Sequence, residues 1–447
     1  MMPAIQPTPG ATSTTGELGN RVIGKVTLRL VPFMGLLYFI NYLDRTNIGF
    51  AKLTMNDDLG LTETTYGLAS GLFFIGYLIL EVPSNLILHK VGARRWIARI
   101  MVSWGIVASI TTFVPSAGAL FGLRILLGIA EAGFFPGMIL FLTFWFPHRV
   151  RAKVTGWFMV AIPLSSALGS PISGALLQYG EGVFGLEGWR SMFLFEGLPA
   201  IILGVITWFF LTDRPADAKW LSSEEKDWLT TELTTEVQSA DEHFGWSLRK
   251  SLTSPRILAL AFVYFGIVYG LYAVSFFLPT IVAGFSERFG TDFSLSQTGL
   301  ITGIPYLLGA VAMVLWTRHS DKAGERVWHT AAPALLGAIA IPIALYLNSP
   351  FAVMIAVSLA AIAINSALPV FWPLPSLFLT GAAAAGGIAL INALGNLAGF
   401  AAPFITGGLT DATGSEKAGL WLVGLMMLGS AITVVALGAA PKRRAAG

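Results

Sequence analysis

Twelve stretches of this chain stay mostly apolar for roughly the 20 residues that an α-helix needs to cross the hydrocarbon core of a bilayer. They lie at about 27–52, 64–88, 95–114, 118–146, 153–178, 190–212, 256–284, 296–317, 330–347, 351–373, 377–409 and 418–440. No soluble domain of ordinary composition carries so much apolar sequence: 55% of the 447 residues are hydrophobic, only 12% are charged, and the mean hydropathy is +0.71. The expected fold class is therefore an all-α membrane protein with twelve transmembrane helices, and the lipid bilayer is its first partner.

One long polar interruption divides the spans six and six. It runs from about Thr212 to Pro255 and contains DRPADAKW followed by LSSEEKDWLTTELTTEVQSADEHF, an acidic and amphipathic run suited to a water-exposed linker with short helices. The domains expected are a disordered N-terminal tail at 1–20, a six-helix bundle at 21–212, a cytoplasmic linker at 213–255, a second six-helix bundle at 256–440 and a tail at 441–447. The first twenty residues lack the basic and apolar regions of a cleaved signal peptide. Of the 28 Lys and Arg residues, 22 fall in the two tails and in the loops after spans 2, 4, 6 and 8, while the opposite loops hold only Arg190, Arg288 and Lys417. By the positive-inside rule both termini are cytoplasmic.

Several chemistries are disfavoured. There are no cysteines, hence no disulfides or thiolate sites. The net charge of +3 is small and its basic residues are sorted by side of the membrane, so nucleic acid is not an expected partner. No GxxxxGK[ST] phosphate loop appears, which argues against direct ATP drive. No metal cluster or catalytic constellation stands out, no cofactor is expected, and none of the five histidines falls in the middle of a span.

Ionisable residues inside the spans are the exception that needs a reason, because a charge in hydrocarbon costs a few kcal/mol and normally faces a cavity or a partner. Asp44 and Arg45 lie in span 1, Glu81 in span 2, Arg124 and Glu131 in span 4, and Glu196 early in span 6. The matching spans of the second half offer amides instead, Asn365, Asn392 and Asn396. Arg124 and Glu131 are two helical turns apart and share a face, and Asn41 shares a face with Asp44 and with Arg45. If spans 1 and 4 line one cavity, it holds two guanidinium groups and two carboxylates. A bound anion adds negative charge there and a proton on Asp44 or Glu131 removes some, which is the electrostatic logic of coupling an anion to protons. The alternative is that these pairs are salt bridges holding helices together. Glu81, near the end of its span beside Pro83, reads as a loop or gate contact; Tyr77, one turn earlier, either offers a hydroxyl to the cavity or packs between helices.

The two halves also echo each other in HKVGARRW (His89 to Trp96) and SDKAGERVWH (Ser320 to His329), short basic loops built around a glycine. They resemble the signature loop of the major facilitator superfamily, whose two six-helix halves rock around a midplane site, although His89 stands where the acidic residue is usual and Asp321 restores it. Within that superfamily, YFINYLDRTNIGFA (Tyr38 to Ala51), GYLILEVPSNLILHKVGARRWIARI (Gly76 to Ile100), RILLGIAEAGFFPG (Arg124 to Gly137), FLFEGLPA (Phe193 to Ala200) and INALGNLAGFAAP (Ile391 to Pro403) resemble the anion:cation symporter family, with wording most similar to bacterial tartrate, phthalate and hydroxyphenylacetate permeases. The resemblance implies a monomeric, multi-pass protein of the bacterial inner membrane that imports a small organic anion with protons. It implies that Arg45 binds the substrate carboxylate, that Arg124 serves binding and coupling, that Asp44 and Glu131 take protons, and that Tyr77, Asn392 and Asn396 line the cavity. Trp372, in VFWPLPS, is either part of an interfacial aromatic belt or a ring stacked on the substrate.

A hydroxylated dicarboxylate such as tartrate is the leading substrate class, with aromatic carboxylates and sugar acids as alternatives. Exchange against an outgoing anion is the rival mechanism, supported by GSPISG (Gly169 to Gly174), which otherwise reads as close helix packing.

Overall fold

The computed structural model describes residues 11–241, 254–378 and 382–439, and every regular element among them is helical. Twelve helical stretches among these residues are long and apolar enough to cross a membrane: Glu17–Leu59, Glu63–Val91, Ala93–Phe113, Ala117–Trp145, His148–Tyr179, Gly188–Phe210, Pro255–Ala283, Leu295–Ala323, Val327–Ala344, Pro350–Pro375, Leu390–Thr413 and Lys417–Ala439, spans 1 to 12 below. Their surface is the inverse of a soluble protein's. Ile79, Val82, Phe113, Ile202, Phe209 and Ile432 are exposed, whereas Asp44, Arg45, Arg124, Glu131 and Glu196 are buried. Only a hydrocarbon solvent rewards that arrangement.

The first helix runs from Ala11 to Thr46, so residues 11–20 are helical where a disordered tail was expected. Buried Val22 and Val26 continue the apolar face of span 1 beyond the length a bilayer needs. This extension meets a linker helix, Ser223–Asp241, through Lys25 and Glu225 at 2.8 Å. Hydrogen bonds from Lys25 and from the Ser222 backbone hold the Glu225 carboxyl below the usual carboxylate range. Farther along the same helix Glu236 accepts from Arg151 at 3.1 Å, and Arg29 lies over the Phe210 and Trp220 rings. The rest of the expected linker and tails, residues 1–10, 242–253 and 440–447, lies outside the described residues.

Several spans are interrupted. Span 1 changes helix at Asn47, two residues past Arg45, and span 10 at Trp372. Span 4 stops at Glu131 and restarts at Phe134 across Gly133, whose φ of +85° is left-handed. A Cβ there would also sit 2.3 Å from Ser84 Oγ. The Ala132 carbonyl freed by the break accepts from Ser84 Oγ at 2.6 Å, and Ser84 in turn accepts from Trp96 Nε1 at 2.9 Å. The backbone is thus re-satisfied where lipid could not do it.

The halves meet most closely at the end remote from the linker, called here the far end. A Cβ on Gly67 of span 2 would lie 2.2 Å from the Pro403 carbonyl of span 11. Gly174 of the GSPISG motif packs against Leu295 and Gly299 of span 8, so its small residues serve backbone approach. Asp411 of span 11 accepts from the Glu63 and Thr64 N–H groups at 3.2 and 2.8 Å, capping span 2 from the opposite half. Lys52 pairs with Glu63 at 2.6 Å beside these contacts.

The two glycine loops differ. Asp321 pairs with Arg326 at 2.6 Å, whereas beside His89 the acid comes from outside the loop: Asp213, just past span 6, accepts from Arg94 N at 2.8 Å.

Candidate functional site

Helix breaks and buried charges coincide. Arg45, two residues before the break in span 1, reaches Glu131, the last residue before the break in span 4, and forms a fully buried ion pair with it. Arg45 Nη1 also lies 3.3 Å from the Tyr272 hydroxyl of span 7, which brings the second half to the pair. Its guanidinium stands 5.1 Å from the Phe73 ring centroid and 5.3 Å from that of Tyr77. On Phe73 also lies Arg124, with Cζ 5.3 Å from the ring. Arg124 is 1% exposed and donates Nε to the Ala69 carbonyl at 3.2 Å. Its two terminal nitrogens have no hydrogen-bond partner, and no carboxylate pairs with it, among the described residues. Glu131 Oε2 and both amide atoms of Asn41 are likewise unpartnered.

This is a guanidinium fork pre-positioned by a backbone carbonyl and left open, beside a second guanidinium neutralised by a carboxylate. Buried polar groups are nearly always satisfied, so an open cationic fork is a place for an anion, best a carboxylate gripped through two parallel hydrogen bonds.

Asp44 departs from the expected cavity. Its Oδ2 accepts from Trp104 Nε1 of span 3 at 2.5 Å and its Oδ1 lies 3.5 Å from Asn47 Nδ2, so it turns away from its neighbour Arg45. Residues adjacent in sequence lie 100° apart on a helix, and here that angle separates the acid from the pair. Glu131 answers Arg45 rather than Arg124, although Arg124 is the residue on its own helical face.

The Major Facilitator Superfamily profile matches residues 34–403 of the chain. The chain belongs to this superfamily. A protein of Agrobacterium vitis named "Putative tartrate transporter" is 51% identical over 427 residues, covering 95% of this chain and 97% of that one. The "Quinolone resistance transporter" of Acinetobacter baumannii is 40% identical, covering 91% and 92%. Among solved structures, a bacterial homologue of the human lysosomal transporter Spinster, inward-facing and unoccupied, aligns over 93% of this chain and 95% of that chain with a TM-score of 0.68 at 18% identity, a likeness of fold. As a major facilitator, the protein is a multi-pass membrane transporter and not an enzyme.

In this major facilitator the second-half candidates sit apart from the arginines. Asn392 and Asn396 of span 11 donate to Glu81 at 2.6 and 3.4 Å, bridging the halves on the linker side of the site. Trp372, half-buried at the break in span 10, packs edge-on against Tyr264 at 4.8 Å. Sequence reasoning missed Tyr272, Phe73 and Trp104, the residues that hold the charged groups. Tyr272 was visible only as one of several tyrosines in the apolar run YFGIVYGLYAV, and nothing in Phe73 or Trp104 distinguishes them from packing residues.

Proposed function

We propose that this transporter imports a small organic anion by proton symport, its halves alternating access to the site between spans 1, 2, 4 and 7, and that a hydroxylated dicarboxylate such as tartrate is the substrate. The observation that carries this reading is the open fork of Arg124 beside the Arg45–Glu131 pair. One substrate carboxylate binds Arg124 directly. A second can reach Arg45 only by displacing Glu131, and a proton on Glu131 is what releases that arginine. Substrate and proton then arrive together because each removes the obstacle to the other. The name of the Agrobacterium vitis relative supports tartrate. The asymmetry of Lys and Arg supports an inner-membrane orientation with both termini cytoplasmic, and the protein acts as a monomer.

The test is uptake of labelled tartrate into proteoliposomes with an acidic exterior, compared with counterflow exchange at equal pH. Arg124→Ala is expected to weaken binding about 100-fold, the scale of losing a buried charge-assisted pair. Glu131→Gln is expected to keep counterflow and lose pH-driven accumulation. Normal accumulation by Glu131→Gln would refute the coupling.

A further inference from the structure

A second set of buried acids lies apart from the arginines. Glu196 of span 6 is 1% exposed; Oε1 accepts from Ser173 Oγ of span 5 at 2.7 Å and Oε2 has no partner among the described residues. Asn47 Nδ2 lies 3.5 Å from Asp44 Oδ1, and Asp44 is close enough to both Glu131 and Glu196 for their charges to interact. The elements around Glu196 bring no free cation to it among the described residues. Span 1 contributes Asp44, span 3 the neutral Trp104 and span 5 only hydroxyls, while Lys52 and Arg190 toward the far end are engaged by Glu63 and by Asp58 and Glu187. Asp44 has the open guanidinium of Arg124 within electrostatic reach, whereas Glu196, ionised and buried with no cation beside it among the described residues, would cost several kcal/mol.

The surroundings of Ser173 supply what such an acid needs. Together with Thr46, Ser166, Ser170, Ser275 and Thr302 it lines a cavity about the size of one water molecule, on the boundary between the halves. The Ser275 and Thr302 hydroxyls, both from the second half, are buried and unpartnered. A water there has the polar partners that hold internal waters, and it exchanges with bulk whenever the halves part.

We propose that Glu196 is a proton-binding carboxyl of the transport cycle, loaded from this hydroxyl-lined cavity through Ser173. The step is a proton transfer alone. A hydronium in the cavity gives its proton to Ser173 Oγ while Ser173 passes its own to Glu196 Oε1, leaving a water and a neutral carboxyl. Glu196, Asp44 and Glu131 then form a set of three acids, of which Glu131 alone, among the described residues, is ion-paired with an arginine.

The proposal rests on the symport reading, and two measurements keep them distinguishable. The first is the infrared difference spectrum of the reconstituted protein on a pH jump, with no substrate present. Glu196→Gln is expected to lose one protonated-carboxyl band that wild type shows; an unchanged spectrum overturns the proposal. The second is proton uptake per labelled tartrate, read with an internal pH dye. Glu196→Gln is expected to keep counterflow within about twofold while pH-driven accumulation falls about tenfold. Wild type moving tartrate without protons would overturn symport and, with it, the place of Glu196 in the cycle, whereas normal coupling in Glu196→Gln overturns the role of Glu196 alone. Should Glu196→Gln lose counterflow through misfolding, Ser173→Ala decides: proton uptake slowed about tenfold supports the route, and an unchanged rate overturns it.

Discussion

Asp44 and Arg45 are chain neighbours with different partners, and the indole of Trp104 holds them apart in role. A hydrogen bond to a charged group contributes about 1.5–3 kcal/mol, so the 2.5 Å contact from Trp104 Nε1 is strong enough to keep the carboxyl oriented toward span 3. Trp104→Phe keeps most of the volume and removes the donor. It is expected to cut pH-driven accumulation about tenfold with counterflow preserved, and to add nothing in an Asp44→Asn background. A double-mutant cycle on uptake checks this, and multiplicative effects would show that the two residues act independently. The charged residues themselves were legible in sequence, because each stands out against hydrocarbon. Their pairing was not, since helical spacing ranks neighbours within one span while Arg45 and Glu131 meet across two.

At the scale of the element, the site depends on helices that stop. The break in span 4 releases the Glu131 end from the course of a continuous helix, and Gly133 supplies the left-handed turn that makes it possible. Gly133→Ala places a Cβ in a conformation costing about 1–2 kcal/mol and against Ser84 Oγ. The expected result is a Tm in detergent lower by several degrees, with tartrate affinity reduced as Glu131 shifts; an unchanged Tm would mean that the backbone relaxes there without penalty. Span number and order could be read from hydropathy, because the bilayer sets a length that composition has to meet. The breaks could not. AEAGFFPG contains a glycine and a proline, as do several unbroken stretches, and only the Ser84 and Trp96 partners make this one stable.

For the whole molecule, the question is what holds the far end shut. Asp411 caps a helix of the other half, and a lost cap costs about 1 kcal/mol, which is about fivefold in the balance between closed and open. The absence of cysteines makes this measurable, since Ser170→Cys, buried where span 5 meets span 8, becomes the single thiol. Adding Asp411→Ala is expected to speed its modification about fivefold in proteoliposomes, and an unchanged rate would assign the closure to the glycine seams alone. The linker helix bears on the same motion. Lys25, Arg149 and Arg151 of the first half all pair with it, so among the described residues these ion pairs make the helix travel with that half as its passenger.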